Sequence, residues 1–165
     1  MALALDGSRR IDTLIKTPAN ERNGIVSPDG RWLVYESDRS GQFEIYVRPS
    51  PNVDSGQEWK VSAAGGVKPA WTRGGRELLY VAPDGAIRGV PVDASDRAWS
   101  AGYAARIVDG PYKARGVDSS RPYDVSRDGE RFLMLKLPPF DPATTLQIQI
   151  VKPRFEELKR LVPVN

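Results

Sequence analysis

The residues of this chain that could take part in chemistry are carboxylates, basic side chains and aromatic rings, because its 165 residues include neither histidine nor cysteine. Ser-His-Asp triads and HExxH zinc sites are therefore excluded. Disulfides and thiolate metal sites are excluded as well. Any catalysis would need Asp, Glu, Lys, Tyr or Arg, or a metal ion held by oxygen ligands.

Charged side chains recur in the loops between short apolar segments, and they are the candidates for ligand binding. Trp71 joins them because it lies on a predicted inner strand, from which its side chain could reach a central channel. Solvated loop charges and exposed ion pairs are the alternative interpretation, since such pairs contribute little. The candidates are Glu21, Arg22, Asp38, Arg39, Lys68, Trp71, Asp84, Arg121 and Asp141.

Three of these carboxylates could hold a divalent cation. Oxygen ligands that converge on one point bind Ca²⁺ or Mg²⁺, and a bound cation can polarise an ester or phosphoryl oxygen or activate water. The residues proposed for such a site are Glu21, Asp38 and Asp84. Their spacing matches no diagnostic metal motif such as an EF-hand loop.

A motif that occurs three times predicts the architecture that must position these side chains. Its first copy reads SPDGRWLVY from Ser27, and the other copies begin at Thr72 and Ser126. The turn glycines are separated by 45 residues (30 to 75) and by 54 residues (75 to 129). A repeat of about 40 to 50 residues with several short strands is typical of a β-propeller blade.

The aspartates of the motif, Asp29 and Asp128, recur and could for that reason be functional. Asp before Gly also favours a tight turn, because its carboxylate accepts hydrogen bonds from nearby backbone amides. The middle copy has Gly74 at this position, which favours the turn interpretation.

Alternation of apolar and polar residues predicts short strands in every repeat. Polar insertions at 51–58, 93–104 and 109–120 are predicted to be surface loops. The predicted strands are 2–5 and 11–15 before the repeats, then 24–27, 32–36, 43–48 and 59–62, then 69–72, 77–81, 86–92 and 105–108, and finally 122–126, 131–137 and 145–151.

The stretch SPDGRWLVYESDRSGQFEIYVRP, followed by PAWTRGGRELLYVAPDG, DVSRDGERFLML and FEELKRLVP, resembles the WD-like repeats of TolB-type β-propellers. The order is similar to that of the C-terminal propeller half attached to many bacterial serine/threonine protein kinases. The kinase motifs GxGxxG, HRD and DFG are absent from the chain. The resemblance covers nearly the whole chain and is specific for fold rather than for function.

The fold that we predict is an all-β, partial β-propeller domain over residues 1–165, with about three four-stranded blades, a half blade and a short C-terminal helix. The resemblance implies a ring of about six blades, so we expect two copies to close it as a homodimer. The alternative is a half ring that needs the rest of a longer parent. The boundaries are 1–19 for the half blade, 20–66, 67–112 and 119–153 for the blades, and 154–162 for the helix.

Two functions of different classes remain open at this point. The first is a non-catalytic scaffold that binds a protein or a small ligand at the mouth of the channel. The second is a metal-dependent hydrolase of ester, lactone or phosphoester substrates, with calcium or magnesium held at the propeller axis. Stoichiometric binding of a divalent ion, with loss of activity in chelator, would distinguish the hydrolase.

Bulk properties predict neither a nucleic-acid nor a membrane partner. The net charge is +3, and the basic residues are scattered rather than gathered in a patch. No segment approaches the roughly 20 apolar residues of a membrane span. The N-terminus is charged too early for a signal peptide, so a cytoplasmic location is expected for the chain as written.

Overall fold

The computed structural model describes residues 2–94, 98–109, 121–126, 129 and 131–134. These residues fold as antiparallel β-strands, apart from loops and one turn of 3₁₀ helix at Arg73–Gly75. They form two larger sheets and two hairpins. The first hairpin pairs β1 (Ala2–Leu3) with β2 (Ile11–Asp12). The prediction of an all-β chain is confirmed over this part of the sequence.

The first sheet contains four strands in chain order, each paired with the next. Val34 pairs with Val47 and Tyr35 with Tyr46. The second strand is buried along its whole length, because both faces of the sheet are covered by apolar clusters. The strands are β3 (Glu21–Val26), β4 (Trp32–Ser37), β5 (Glu44–Pro49) and β6 (Trp59–Lys60).

The second sheet repeats this order but divides its outer edge between two strands. One end of its longest strand pairs with β10, and the other end pairs with β11. The strands are β7 (Val67–Thr72), β8 (Glu77–Val81), β9 (Ile87–Ala94), β10 (Trp99–Ala101) and β11 (Ala105–Val108).

The prediction that 93–104 is a surface loop was wrong for Asp93 and Ala94, which lie in β9, and for Trp99–Ala101, which forms strand β10. The segment is polar and rich in turn-forming residues, and its two aromatic residues are Trp99 and Tyr103. Trp99 is only 5% exposed, because its ring packs into the cluster between the two sheets. Burial of this single side chain outweighs the polar composition of its neighbours.

Successive sheets pack face to face in chain order. Trp32 and Val34 of the first sheet meet Leu78 and Trp99 of the second in one cluster, and the ring centroids of the two tryptophans are 5.3 Å apart. Another cluster joins β7, β8 and β9 to the second hairpin, which pairs β12 (Tyr123–Val125) with β13 (Phe132–Met134). This stacking is compatible with consecutive propeller blades.

The repeated motif forms the turn between the first two strands of the first sheet. Gly30 donates its backbone N–H to the oxygen of Ser27 at 2.9 Å, and its φ of 78° is a conformation that glycine adopts without strain. Asp29 accepts hydrogen bonds from Ser27 and from the backbone N–H of Arg31. Asp29 therefore has the structural role that turn chemistry predicts.

Several predicted features lie outside the described residues. They are strand 145–151, helix 154–162, and the candidate residues Asp128 and Asp141. Within the described ranges, no helix has the length and apolar character needed to cross a membrane.

We expect Trp99→Ala to lower the free energy of unfolding by about 3–5 kcal/mol, because it leaves a large cavity between the two sheets. Tyr103, in the same segment, is 98% exposed, so Tyr103→Ala should change stability by less than about 0.5 kcal/mol. Urea denaturation of the two variants tests the placement of β10. Equal stabilities would contradict it.

Candidate ligand-binding site

A cavity of about 230 Å³ lies where segments from three successive repeats come together. Strands β3 and β7 supply most of its wall, and Arg121, which lies two positions before β12, completes it. Each contributor belongs to the first strand of its repeat or lies within two positions of its start. The lining residues are Asn23, Gly24, Ile25, Lys68, Pro69 and Arg121.

The backbone around this cavity has the same irregularity in two repeats. Asn23 and Lys68 have φ values of 52° and 58°, and each lies where the pairing of its strand with the next one shifts. Both residues precede the turn glycine of their repeat by the same number of positions. Asparagine tolerates this left-handed conformation, whereas lysine rarely adopts it.

The buried carboxylate of Glu36 holds both irregular segments. This side chain has no exposed surface and comes from β4, next to the cavity wall. It accepts hydrogen bonds from Nε of Arg22 at 2.7 Å, from Nδ2 of Asn23 at 2.6 Å and from the backbone N–H of Lys68 at 2.6 Å. A buried carboxylate is tolerated only when its oxygens are bonded in this way.

Tyr123 also holds the irregular segment around Lys68. Its hydroxyl donates to the backbone oxygen of Lys68 at 2.7 Å. Burial raises the pKa of Tyr123 far above its usual range, so the phenol keeps the proton that it donates. The peptide groups on either side of Lys68 are thus fixed by β4 and by β12, which stabilises its unusual backbone conformation.

Arg121 is oriented by the strand that follows it. Its Nε donates to the backbone oxygen of Tyr123 at 2.9 Å, and its Nη2 donates to Asp124 at 2.9 Å. The guanidinium also lies 5.5 Å from the centroid of the Tyr123 ring. These contacts give the positive group at the cavity a defined position.

The structure brings Lys68 and Arg121 together at the cavity, and Arg22 contacts Glu36 beside them. Arg39 lies elsewhere, on the tyrosine-bearing face of the first sheet, with its guanidinium 3.8 Å from the ring centroid of Tyr46. Trp71 donates its indole N–H to the oxygen of Ile25 at 3.3 Å. Its ring packs against the ring of Trp99.

The three carboxylates considered for a metal each have their own local partners. Glu21 accepts a hydrogen bond from Thr17. Hydrogen bonds from Asn20 lower the pKa of Asp38. A hydrogen bond from the backbone N–H of Ala86 lowers the pKa of Asp84. No three metal-ligating side chains come together anywhere in the described residues.

Sequence reasoning missed four of the lining residues and the carboxylate beside them. One signal could have found part of the site, because Asn23 and Lys68 occupy equivalent positions of the repeat. Glu36 is the one charged residue of β4. The missed residues are Asn23, Gly24, Ile25, Pro69 and Glu36.

No protein-family model matches this chain, and no curated protein matches it either.

We expect Glu36→Gln to lower the free energy of unfolding by about 2–3 kcal/mol, because its amide group would face N–H donors that now converge on a carboxylate. The guanidinium of Arg22 is partly exposed, so water can solvate it in the variant. The loss of stability should therefore be smaller than for a fully buried ion pair. Denaturation in urea gives the stability.

Asp12→Asn is the matched control for this carboxylate-to-amide change. The Asp12 carboxylate is exposed and pairs with Arg10, so its loss should cost less than about 1 kcal/mol. A Glu36→Gln variant as stable as the Asp12→Asn protein would show that the buried carboxylate does not hold the cavity wall.

Proposed function

We propose that this protein is a non-catalytic β-propeller module that binds a ligand in the cavity between its first strands. The observation that carries the proposal is the convergence of three repeats on one lined cavity. In a propeller the first strand of each blade is the innermost, and its channel mouth is a common place for ligands. The face-to-face stacking of successive sheets supports the same architecture.

The chemistry of the lining favours binding over catalysis. The cavity wall offers an amide, an ammonium and a guanidinium with apolar residues between them, and its described lining includes neither a hydroxyl nor a carboxylate. Both oxygens of Glu36 accept N–H groups of the protein. A nucleophile activated by an adjacent base, as hydrolysis commonly requires, is not assembled by these residues.

No observation favours the metal-dependent hydrolase. Its candidate ligands Glu21, Asp38 and Asp84 bond to different neighbours, so they form no common cation site in the part of the chain that the structure describes. Each carboxylate is accounted for by turn or loop hydrogen bonding.

The proposed ring is completed by a second copy of the chain. Exposed apolar side chains lie on both hairpins that the structure describes. Ile11 of β2 is 63% exposed and Leu133 of β13 is 74% exposed. Contact between these hairpins in a two-fold dimer would cover both and would place the two cavities in one ring.

Light scattering coupled to gel filtration tests this assembly. We expect a mass of twice the 18.2 kDa of one chain. Leu133→Asp should shift the mass toward that of one chain, because a buried charge in the contact is costly. A single-chain mass for the unaltered protein would contradict closure by a second copy.

We expect Gly24→Phe to abolish ligand binding without unfolding the protein. A Cβ at Gly24 meets its nearest atom, in Leu33, at an ordinary 3.6 Å, and Gly24 lines the cavity, so we expect a bulky side chain there to reduce the space for a ligand. The assay follows amide NMR shifts of residues 23–25, 68 and 121 during addition of a mixture of small carboxylic acids, amides and sugars.

Gly102→Phe provides the matched control. Its Cβ would also have only ordinary contacts, at 3.6 Å from Pro91, and Gly102 does not line the cavity. Shifts that persist in Gly24→Phe, or that never occur at the cavity amides of the unaltered protein with any probe, would overturn the proposed function.

A further inference from the structure

We infer that the ligand presents a primary carboxamide on a short apolar stem to Asn23 and Arg121, an inference that rests on the proposed binding function. The carboxamide is carried either by a small aliphatic amide or by a glutamine side chain of a peptide. Unused hydrogen-bonding groups, the balance of charge and the size of the cavity each support this ligand class.

Asn23 offers a hydrogen-bond acceptor to a ligand in the cavity that it lines. Its Nδ2 donates to Oε1 of Glu36 at 2.6 Å. A carboxylate only accepts hydrogen bonds, so this contact fixes which branch of the amide is nitrogen and leaves Oδ1 on the other branch. None of the described residues donates to Oδ1, and Asn23 is only half-buried. The oxygen is therefore available to a donor of the ligand.

Arg121 offers hydrogen-bond donors at the same cavity. Its Nε and Nη2 donate within its own segment, to Tyr123 and to Asp124. Its Nη1 has no hydrogen-bond partner among the described residues, so it can donate to a carbonyl oxygen. Because the other two nitrogens hold the guanidinium in place, binding would not have to order this side chain.

The charged groups at the cavity have partners, which favours a neutral ligand. Arg121 pairs with Asp124, and Arg22, beside the cavity, pairs with Glu36. Lys68 has a further interaction within the chain, so it offers no free counter-charge. A charged ligand would lose its hydration without gaining an unpaired opposite charge. A carboxamide supplies both a donor and an acceptor without a net charge.

The size and apolar wall of the cavity define the rest of the ligand. At about 230 Å³ it is smaller than the roughly 300–1,000 Å³ of cavities that accept drug-sized molecules. Ile25, Pro69 and Gly24 supply a surface without charge. A stem of two or three carbons that ends in a carboxamide matches both the volume and this wall.

Three probes of nearly equal size test the carboxamide on the unaltered protein by amide NMR shifts. They are butyramide, 2-pentanone, which has a methyl group in place of the NH₂, and butyrate, which has a charged oxygen there. We expect butyramide to bind about tenfold more tightly than the other two, because only its NH₂ group can donate to Oδ1 of Asn23. The shifts should occur at residues 23–25, 68 and 121.

Two peptides distinguish the sources of the carboxamide. In Ac-Gly-Gln-Gly-NHMe the glutamine side chain is the only primary amide, and Ac-Gly-Met-Gly-NHMe replaces it with an apolar side chain of similar length. Glutamine peptide that binds about tenfold more tightly than the methionine peptide supports a peptide side chain as the source. Binding of butyramide without such a difference between the peptides supports a small free amide.

A matched pair of variants locates the donor. Arg121→Met removes the guanidinium, and we expect it to weaken binding of butyramide about tenfold. Arg106→Met is the control, because Arg106 likewise pairs with the aspartate three positions later and does not line the cavity. It should change affinity by less than twofold. The comparison of the probes does not depend on the folding of either variant.

Each remaining outcome removes the carboxamide. Butyrate or 2-pentanone that binds as tightly as butyramide, with shifts at the cavity, overturns the inference and leaves the proposed function standing. Binding of butyramide that is equal in Arg121→Met and in the unaltered protein also overturns it. Absence of shifts with all of these probes overturns it as well, and the wider probe mixture then judges the proposed function.

Discussion

The buried carboxylate of Glu36 is the interaction on which the rest of the structure depends. A charged group without solvent exposure requires hydrogen-bond donors, because an uncompensated buried charge costs several kcal/mol. Its donors come from β3 and from the first strand of the next sheet. One side chain thereby fixes the position of two repeats relative to each other, at the point where a cavity forms between them.

Lys68 extends this constraint to the third repeat. Its backbone N–H is bonded to Glu36 and its backbone oxygen to Tyr123, so a continuous set of hydrogen bonds crosses all three repeats. The cavity wall and the contacts between repeats are therefore parts of one network. A site built in this way is rigid, because a change in its wall would also disturb the packing of the sheets.

The apolar contacts have a separate role. The clusters that join the sheets lie along the faces of the strands, with Trp32 and Trp99 between the first and second sheets and Leu79 on the opposite face of β8. This burial supplies most of the stability of such a fold. Trp71 belongs to the packing and also contacts the cavity strand β3 through its indole N–H, which links the two regions.

The sequence by itself determined the repeat, the turn role of Asp29 and the approximate bounds of β4, β5 and β8. These features depend on alternation and turn chemistry within a few residues. Only the tertiary structure decided that Glu36 is buried, that Trp99 begins a strand, and that Lys68 and Arg121 share a cavity. Those outcomes depend on contacts such as the bonds from Lys68 to Glu36 and to Tyr123, which span 32 and 55 residues. Strand register and the stacking of sheets set such contacts, and no local pattern encodes them.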